Sequence, residues 1–336
     1  MTPPAATPLT TGLLAAVSRS FYLSLRVLPS AVRAPLSLGY LLARAADTIA
    51  DVPVRPAAER LALLASFDKA VQEGADDGFF ARAAEFSEDV EHAGERTLLQ
   101  RLPECWSALE SSTATEAALI RTVLQWIIRG QSLDLERFPD AAQPASLPDA
   151  AALEEYTWLV AGCVGEFWTD ICLLHLPRCA SLPRDEMVRL GKRYGQGLQL
   201  LNILRDQPKD MEGGRCYLPA TELHAAGIHG VVWPAEDWKP WHAVRRKWLV
   251  ESRARLNDGA NYVRALKSTR LRFAALLPLL IGNATLDLLG AQPENQPPQA
   301  VKISRSKVKR LMLKALWQSL PPWLTRYRQP LVGAPS

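Results

Sequence analysis

The chain has 336 residues, of which 48% are hydrophobic and 22% charged, and a formal net charge of +4. That composition suits a globular protein with a sizeable apolar core. It is too weakly basic to argue for nucleic acid, and no zinc-finger or comparable signature is present. Five cysteines, Cys105, Cys163, Cys172, Cys179 and Cys216, show neither metal-ligand spacing nor a disulfide framework, which fits a reducing compartment.

The opening stretch, MTPPAATPLTTG, lacks a basic region followed by an apolar run, so no secretory leader is expected and residues 1–12 read as a flexible tail. Apolar residues then recur at three- and four-residue intervals through LLAAVSRSFYLSLRVL, APLSLGYLLARAADTIAD, ERLALLASFDKAVQ, EAALIRTVLQWIIRGQSLDLE, LEEYTWLVAGCVGEFWTDICLLHL and RLGKRYGQGLQLLNILRD. Further helices are predicted at 241–266, 271–290 and 304–318. No alternating run or hairpin signal competes with them. Breaks fall at proline-rich punctuation: Pro53 to Pro56, Pro139 to Pro148, Pro177 to Pro183 and Pro293 to Pro298. The expected architecture is all-α, with one helical domain over 13–292, a connector and basic segment over 293–320 closing it, and a tail over 321–336. The longest uninterrupted apolar run, FAALLPLLI at 273–281, is far short of the ~20 residues a membrane helix needs. A cytoplasmic protein, peripheral to the inner face of a membrane at most, is expected.

Two stretches break the apolar pattern in the same way. In YLLARAADTIAD, Asp47 and Asp51 stand four residues apart; in NILRDQPKDMEGGRCYLP, Asn202, Asp206 and Asp210 follow the same interval. Groups at i, i+4 and i+8 share a helix face, and acids on a half-buried face repel unless a cation sits among them. One such pair alone is an ordinary solvated acidic patch. Two pairs in apolar helices make an oxygen-rich site suited to Mg²⁺ and, through it, to a diphosphate. Arg19, Arg44, Arg205 and Arg215 lie beside these pairs, and arginine suits bidentate phosphate contact. Phe21, Tyr22, Tyr40, Tyr156, Phe167 and Trp168 are either plain core or the lining of an apolar pocket whose aromatic faces stabilise a carbocation. Pro208, inside DQPKD, removes a helical hydrogen bond, so the helix is expected to end or kink near Asp206. Glu166 is expected to reach solvent at a cavity rim.

SRSFYLSL, YLLARAADTIAD, YTWLVAGCVG and GLQLLNILRDQPKDMEGGRCYLP together resemble the successive signatures of the squalene/phytoene synthase family, in order over residues 18–290. The resemblance implies an isoprenoid-synthase helical fold with a central cavity lined by the two acidic motifs. It implies Mg²⁺ bound by Asp47, Asp51, Asp206 and Asp210, with Asn202 and Gln199 on the same wall. Ser18, Arg19, Arg44, Arg205 and Arg215 would hold diphosphate oxygens, and Tyr156 and Tyr40 would stand near the rearranging cation. The implied activity is transfer between prenyl diphosphates: Mg²⁺-dependent head-to-head condensation of two farnesyl diphosphates to presqualene diphosphate, then NADPH-dependent reduction to squalene. Phytoene, dehydrosqualene, hydroxysqualene or presqualene diphosphate synthases without reduction are the alternatives within the family, and a non-catalytic helical protein is a distant one. Chain-elongating relatives of the fold carry DDxxD, whereas Ala46 precedes Asp47 here.

The tail bears on the choice among these products. From residue 301 onward there are eight Lys and Arg and no acid. VKISRSKVKRLM resembles the basic flap of squalene synthases, in which Lys302 and Arg305, with Asn202, would contact NADPH; no Rossmann glycine fingerprint is present. The same segment reads equally as a cationic amphipathic helix with Val308, Leu311, Met312, Ala315 and Leu316 on one face, docked on the core or on an anionic membrane. Both readings stay open at this level.

Overall fold

The computed structural model describes residues 12–18, 21–229, 233–234 and 236–320. These form an all-α fold divided into two compact units, the described residues up to 136 with 167–177, and 137–166 with the described residues from 178 onward.

The first unit contains α1 (Leu14–Val17), α2 (Phe21–Val27), α3 (Ser30–Ala50), α4 (Ala57–Glu73), α5 (Asp77–Ser87), α6 (Ala93–Gln100), α7 (Leu102–Glu110) and nearly all of α8 (Ala114–Arg137). The run read as one helix over 13–28 is interrupted at Ser18, whose backbone leaves the helical region and whose hydroxyl donates to the Leu14 carbonyl at 2.5 Å. Helix α3 packs on α2, α4, α6 and α7 and buries Leu38, Leu41, Leu42, Ala45 and Ile49 on one face. Phe67, Phe79 and Trp106 form an aromatic core with centroid separations of 5.2–5.7 Å. Helices α5 to α7 are too short for sustained periodicity. Their starts are local: the Asp76 carboxylate accepts from the Phe79 N–H at 2.7 Å, and the His92 ring from Glu95 N–H at 3.3 Å.

The second unit is built on α11 (Arg184–Glu212) and α13 (Lys239–Ala265), which pack along each other, with α14 (Thr269–Gly290) against both and α15 (Arg305–Ser319) on α14. A short helix α12 (Ala220–Ala225) also rests on α13. Helix α9 (Ala150–Thr157) leads through a π turn, Trp158–Gly162, into α10 (Cys163–His175), whose residues from Phe167 onward belong to the first unit. Gly165 explains part of the VAGCVG stretch: a Cβ there would overlap the Gly191 carbonyl of α11, so only glycine permits this approach. Departures from an all-helical fold among the described residues are small, and one is an isolated antiparallel bridge between Ala180 and Leu266. Strands β1 (Ala145–Ser146) and β2 (Arg215–Cys216) pair in parallel, and two-residue strands carry no alternation to read.

Helix α11 does not end near Asp206; it continues through Pro208 to Glu212. Helix 269–290 and the helical stretch 150–175 are long and apolar enough, by length and composition, to cross a membrane. A packed core helix meets the same test, and α14 lies against α11, α13 and α15.

Candidate active site

In the first unit the acidic motif sits at the end of α3. Arg44 and Asp47 share one face and are joined by Nη1 to Oδ2 at 2.5 Å, each with about a third of its side chain exposed. The other Asp47 oxygen accepts from Gln131 Nε2, on α8, at 2.9 Å. Arg44 also lies 5.9 Å from the Tyr40 ring centroid, and its Nη2 donates to the Tyr40 hydroxyl at 3.5 Å, which itself donates to the Val17 carbonyl at 3.3 Å. Asp51 is the residue that closes α3: its N–H donates to the Asp47 carbonyl at 3.0 Å, and its side chain is exposed. Burial, with the charge of Asp51 behind it, pushes the Asp47 carboxyl up to about 6, against the pull of Arg44; Glu95 adds repulsion and the Gln131 bond opposes it. Tyr40, Arg44, Asp47 and Asp51 are thus brought together. Gln131 and Glu95 join them without any sequence signal, because both arrive from helices distant in the chain.

Ser18 is buried, and its proton is already committed to the Leu14 carbonyl, so toward a phosphate it has only acceptor capacity left. Arg19 lies outside the described residues.

In the second unit α11 presents Gln199, Asn202, Arg205, Asp206 and Asp210 within three turns. Asn202 Nδ2 donates to Gln199 Oε1 at 3.4 Å. Arg205 holds the neighbouring Asp206 through two parallel bonds, Nε to Oδ1 at 2.8 Å and Nη2 to Oδ2 at 2.6 Å, with both side chains about two-fifths exposed. That bond, with the charges of Asp206 and Asp210, raises the Arg205 pKa. Beyond α11 the chain turns at Gly214, whose φ of +70° and contact with the Ala141 carbonyl exclude a side chain, and enters β2 at Arg215.

The turn containing Pro208 has a support that sequence reasoning missed. Arg245 on α13 is buried and donates from Nε to Gln207 Oε1 at 2.8 Å, from Nη1 to the Leu289 carbonyl at 3.2 Å and from Nη2 to Gln292 Oε1 at 3.0 Å. All three acceptors are neutral, and desolvation pulls the guanidinium down to about 10.

Tyr156 is buried and stacks on Tyr217 at 5.1 Å, and Tyr217 in turn meets Phe138 edge-on at 5.2 Å. Tyr217 lies within the GGRCYLP stretch, where nothing in its spacing singles it out. Glu166 does not simply reach solvent: half-buried, it accepts from Trp158 Nε1 at 3.1 Å across the π turn. Lys302 and Arg305 are both exposed ahead of and at the start of α15. Among the described residues no three His, Cys, Asp or Glu side chains converge closely enough to hold a metal by themselves.

The profile of the squalene/phytoene synthase family matches residues 14–307, which includes both acidic motifs and the Tyr156 stretch. The chain belongs to that family. It is 30% identical over 216 residues to the presqualene diphosphate synthase of Rhodopseudomonas palustris, covering 63% of this chain and 62% of that one. It is likewise 30% identical over 219 residues to the bifunctional lycopene cyclase/phytoene synthase of Podospora anserina, covering 64% and 35%. The matched stretches therefore span about three-fifths and one-third of those relatives. Among solved structures, the ligand complex of TcSQS with BPH1237 shares the fold, with a TM-score of 0.70 at 20% identity over 91% of this chain and 86% of that one.

Proposed function

We propose that the protein is a prenyltransferase that couples two farnesyl diphosphates head to head into presqualene diphosphate with the help of Mg²⁺. The observation that carries this reading is the Asp47–Asp51 pair. A half-buried carboxylate, raised by burial and by a like charge, lies at the end of an apolar helix where a hard cation would relieve it. The donor chemistry fits: the acidic pairs offer only oxygen ligands, and since no three acids converge among the described residues, the remaining positions would fall to water and substrate phosphate, as Mg²⁺ prefers. Asp47 and Asp51 in the first unit, and Asp206 and Asp210 in the second, would each offer oxygen ligands to Mg²⁺, which when bound would neutralise the departing diphosphate as a Lewis acid. Arg44 and Arg205 place guanidinium groups beside those acids to bind diphosphate oxygens. The Tyr156–Tyr217–Phe138 cluster offers aromatic faces and excludes water from a carbocation.

Reduction onward to squalene with NADPH is a second reading, favoured by Lys302 and Arg305, both exposed and in no ion pair among the described residues. Incubation with farnesyl diphosphate and Mg²⁺, with and without NADPH, tests both. Presqualene diphosphate in either condition supports the first reading, and squalene only with NADPH supports the second. No coupled product from farnesyl diphosphate, with phytoene formed from the longer geranylgeranyl diphosphate, would overturn both.

A further inference from the structure

Helix α15 shows two faces that do different things. Val308, Leu311 and Met312 are half-buried and Ala315 fully buried in a helix that packs on α14, and Arg272 on α14 donates to the Ser319 carbonyl at 3.4 Å. Leu316, placed by periodicity on that packed face, instead turns outward and is 53% exposed. With Leu313 at 68% and Trp317 at 42%, it forms a strip of exposed apolar side chains within five residues. These three are a third of the nine large exposed apolar residues among the described ones; the others stand elsewhere in the chain. Scattered single exposures need no explanation, whereas a cluster does.

The charge on the same face is unusual. Lys309 and Arg310 are exposed beside the strip, at positions a helical wheel places within about a third of a turn of Leu313. Of the six Lys and Arg between 302 and 314, none forms an ion pair among the described residues, and no acid occurs anywhere from 301 to 336. Arginines elsewhere in this unit, such as Arg193, Arg205, Arg246 and Arg253, are paired with carboxylates.

Uncompensated positive charge interleaved with Leu, Leu and Trp fits a surface that is at once anionic and apolar just beneath. A solvated acidic protein or a nucleic acid gives the lysines a partner but leaves the leucines in water. Tryptophan, with an apolar ring and one N–H donor, favours the boundary between acyl chains and head groups. We infer that the outward face of α15 docks on a bilayer containing anionic phospholipid, with Leu313, Leu316 and Trp317 inserted and Lys309 and Arg310 against the phosphates. This rests on α15 alone and does not depend on which product the enzyme makes.

Co-sedimentation of the full-length protein with vesicles decides the matter. Binding is expected to vesicles of phosphatidylcholine mixed with phosphatidylglycerol, to be far weaker with phosphatidylcholine alone, and to fall steeply as salt is raised. The K309A/R310A variant should partition about thirtyfold more weakly, since each basic group near such a surface contributes roughly a factor of five. The L313N/W317N variant should lose at least about tenfold. These side chains are exposed, so the helical circular dichroism of both variants should match the parent. The salt titration of the parent protein stands independently of any variant. The inference is overturned by absence of binding to anionic vesicles, by equal binding to neutral ones, or by both variants binding like the parent. It is also overturned if L313N/W317N changes the native mass without changing vesicle binding, which would make this face a contact between two copies.

Discussion

Asp47 is where single side chains matter most. One oxygen is held by Arg44 and the other by Gln131, so the carboxylate has a fixed orientation before any ligand arrives. Outer groups that orient a metal ligand are typically worth 10–100-fold in metal affinity. Gln131→Leu is therefore expected to raise the Mg²⁺ concentration for half-maximal diphosphate release by about 10–100-fold while leaving the fold intact. Asp47→Asn should lower turnover by about a hundredfold or more, because it removes the anionic ligand itself; near-normal turnover with unchanged Mg²⁺ dependence would remove Asp47 from the site. Arg205 poses a different question, since its two parallel bonds to Asp206 depend on the Nε–Nη2 edge of a planar guanidinium. Arg205→Lys keeps the charge and loses the fork, so KM for the prenyl diphosphate should rise by about tenfold, or roughly 1.4 kcal/mol. An unaltered KM would make Arg205 a surface partner of Asp206 and nothing more.

Helix α11 is the element whose integrity decides where Asp206 and Asp210 stand. Pro208 removes the N–H that would bond the Leu204 carbonyl, yet the helix continues for four more residues. The buried guanidinium of Arg245 ties the same turn, through Gln207, to α13 and to the end of α14. Gln207→Leu would leave a charged donor without that acceptor, and a loss of about 1–3 kcal/mol is expected in chemical denaturation. Gln207→Glu gives the guanidinium a carboxylate and should be clearly more stable than Gln207→Leu; the reverse order would show that Arg245 does not support the turn. Helix α13 carries a second sensitive contact. His242 is buried, and its Nε2 lies 2.8 Å from the Gln296 carbonyl, so that nitrogen bears the proton in the neutral ring. Burial lowers its pKa, as do the charges of Arg245 and Arg246, while the Gln296 bond and Glu294 act the other way. The unfolded chain thus takes up the proton at a higher pH than the folded one. The stability present above about pH 6.5 is lost as pH falls through the folded value. His242→Gln keeps a donor and removes the titration, so stability should fall less between about pH 7 and pH 5 than in the parent.

For the whole molecule the metal is predicted to serve chemistry and not folding. Structural metal sites are closed by three or four protein ligands, and no such convergence exists among the described residues. Chelation with EDTA should therefore abolish diphosphate release and leave the thermal midpoint in place, with activity restored by added Mg²⁺. A large drop in midpoint on chelation would point to a structural metal held by residues other than those described.

The family, the all-α class and the long helices are legible in the residues alone, because 3.6-residue periodicity and two DxxxD stretches are local patterns that survive without neighbours. So are Asp47, Arg44, Asp206 and Arg205, whose partners lie within one turn of their own helix. That Gln131 reaches Asp47, that Arg245 supports the turn at Pro208 and that Tyr217 stacks on Tyr156 emerge from the packing of distant segments. Each joins residues 38 or more positions apart, and no local period records such a contact. Leu316 makes the same point from the other side. Its place in the periodic stripe is real, but which part of a helix surface is covered depends on the neighbour it packs against, and α14 covers the strip one residue away.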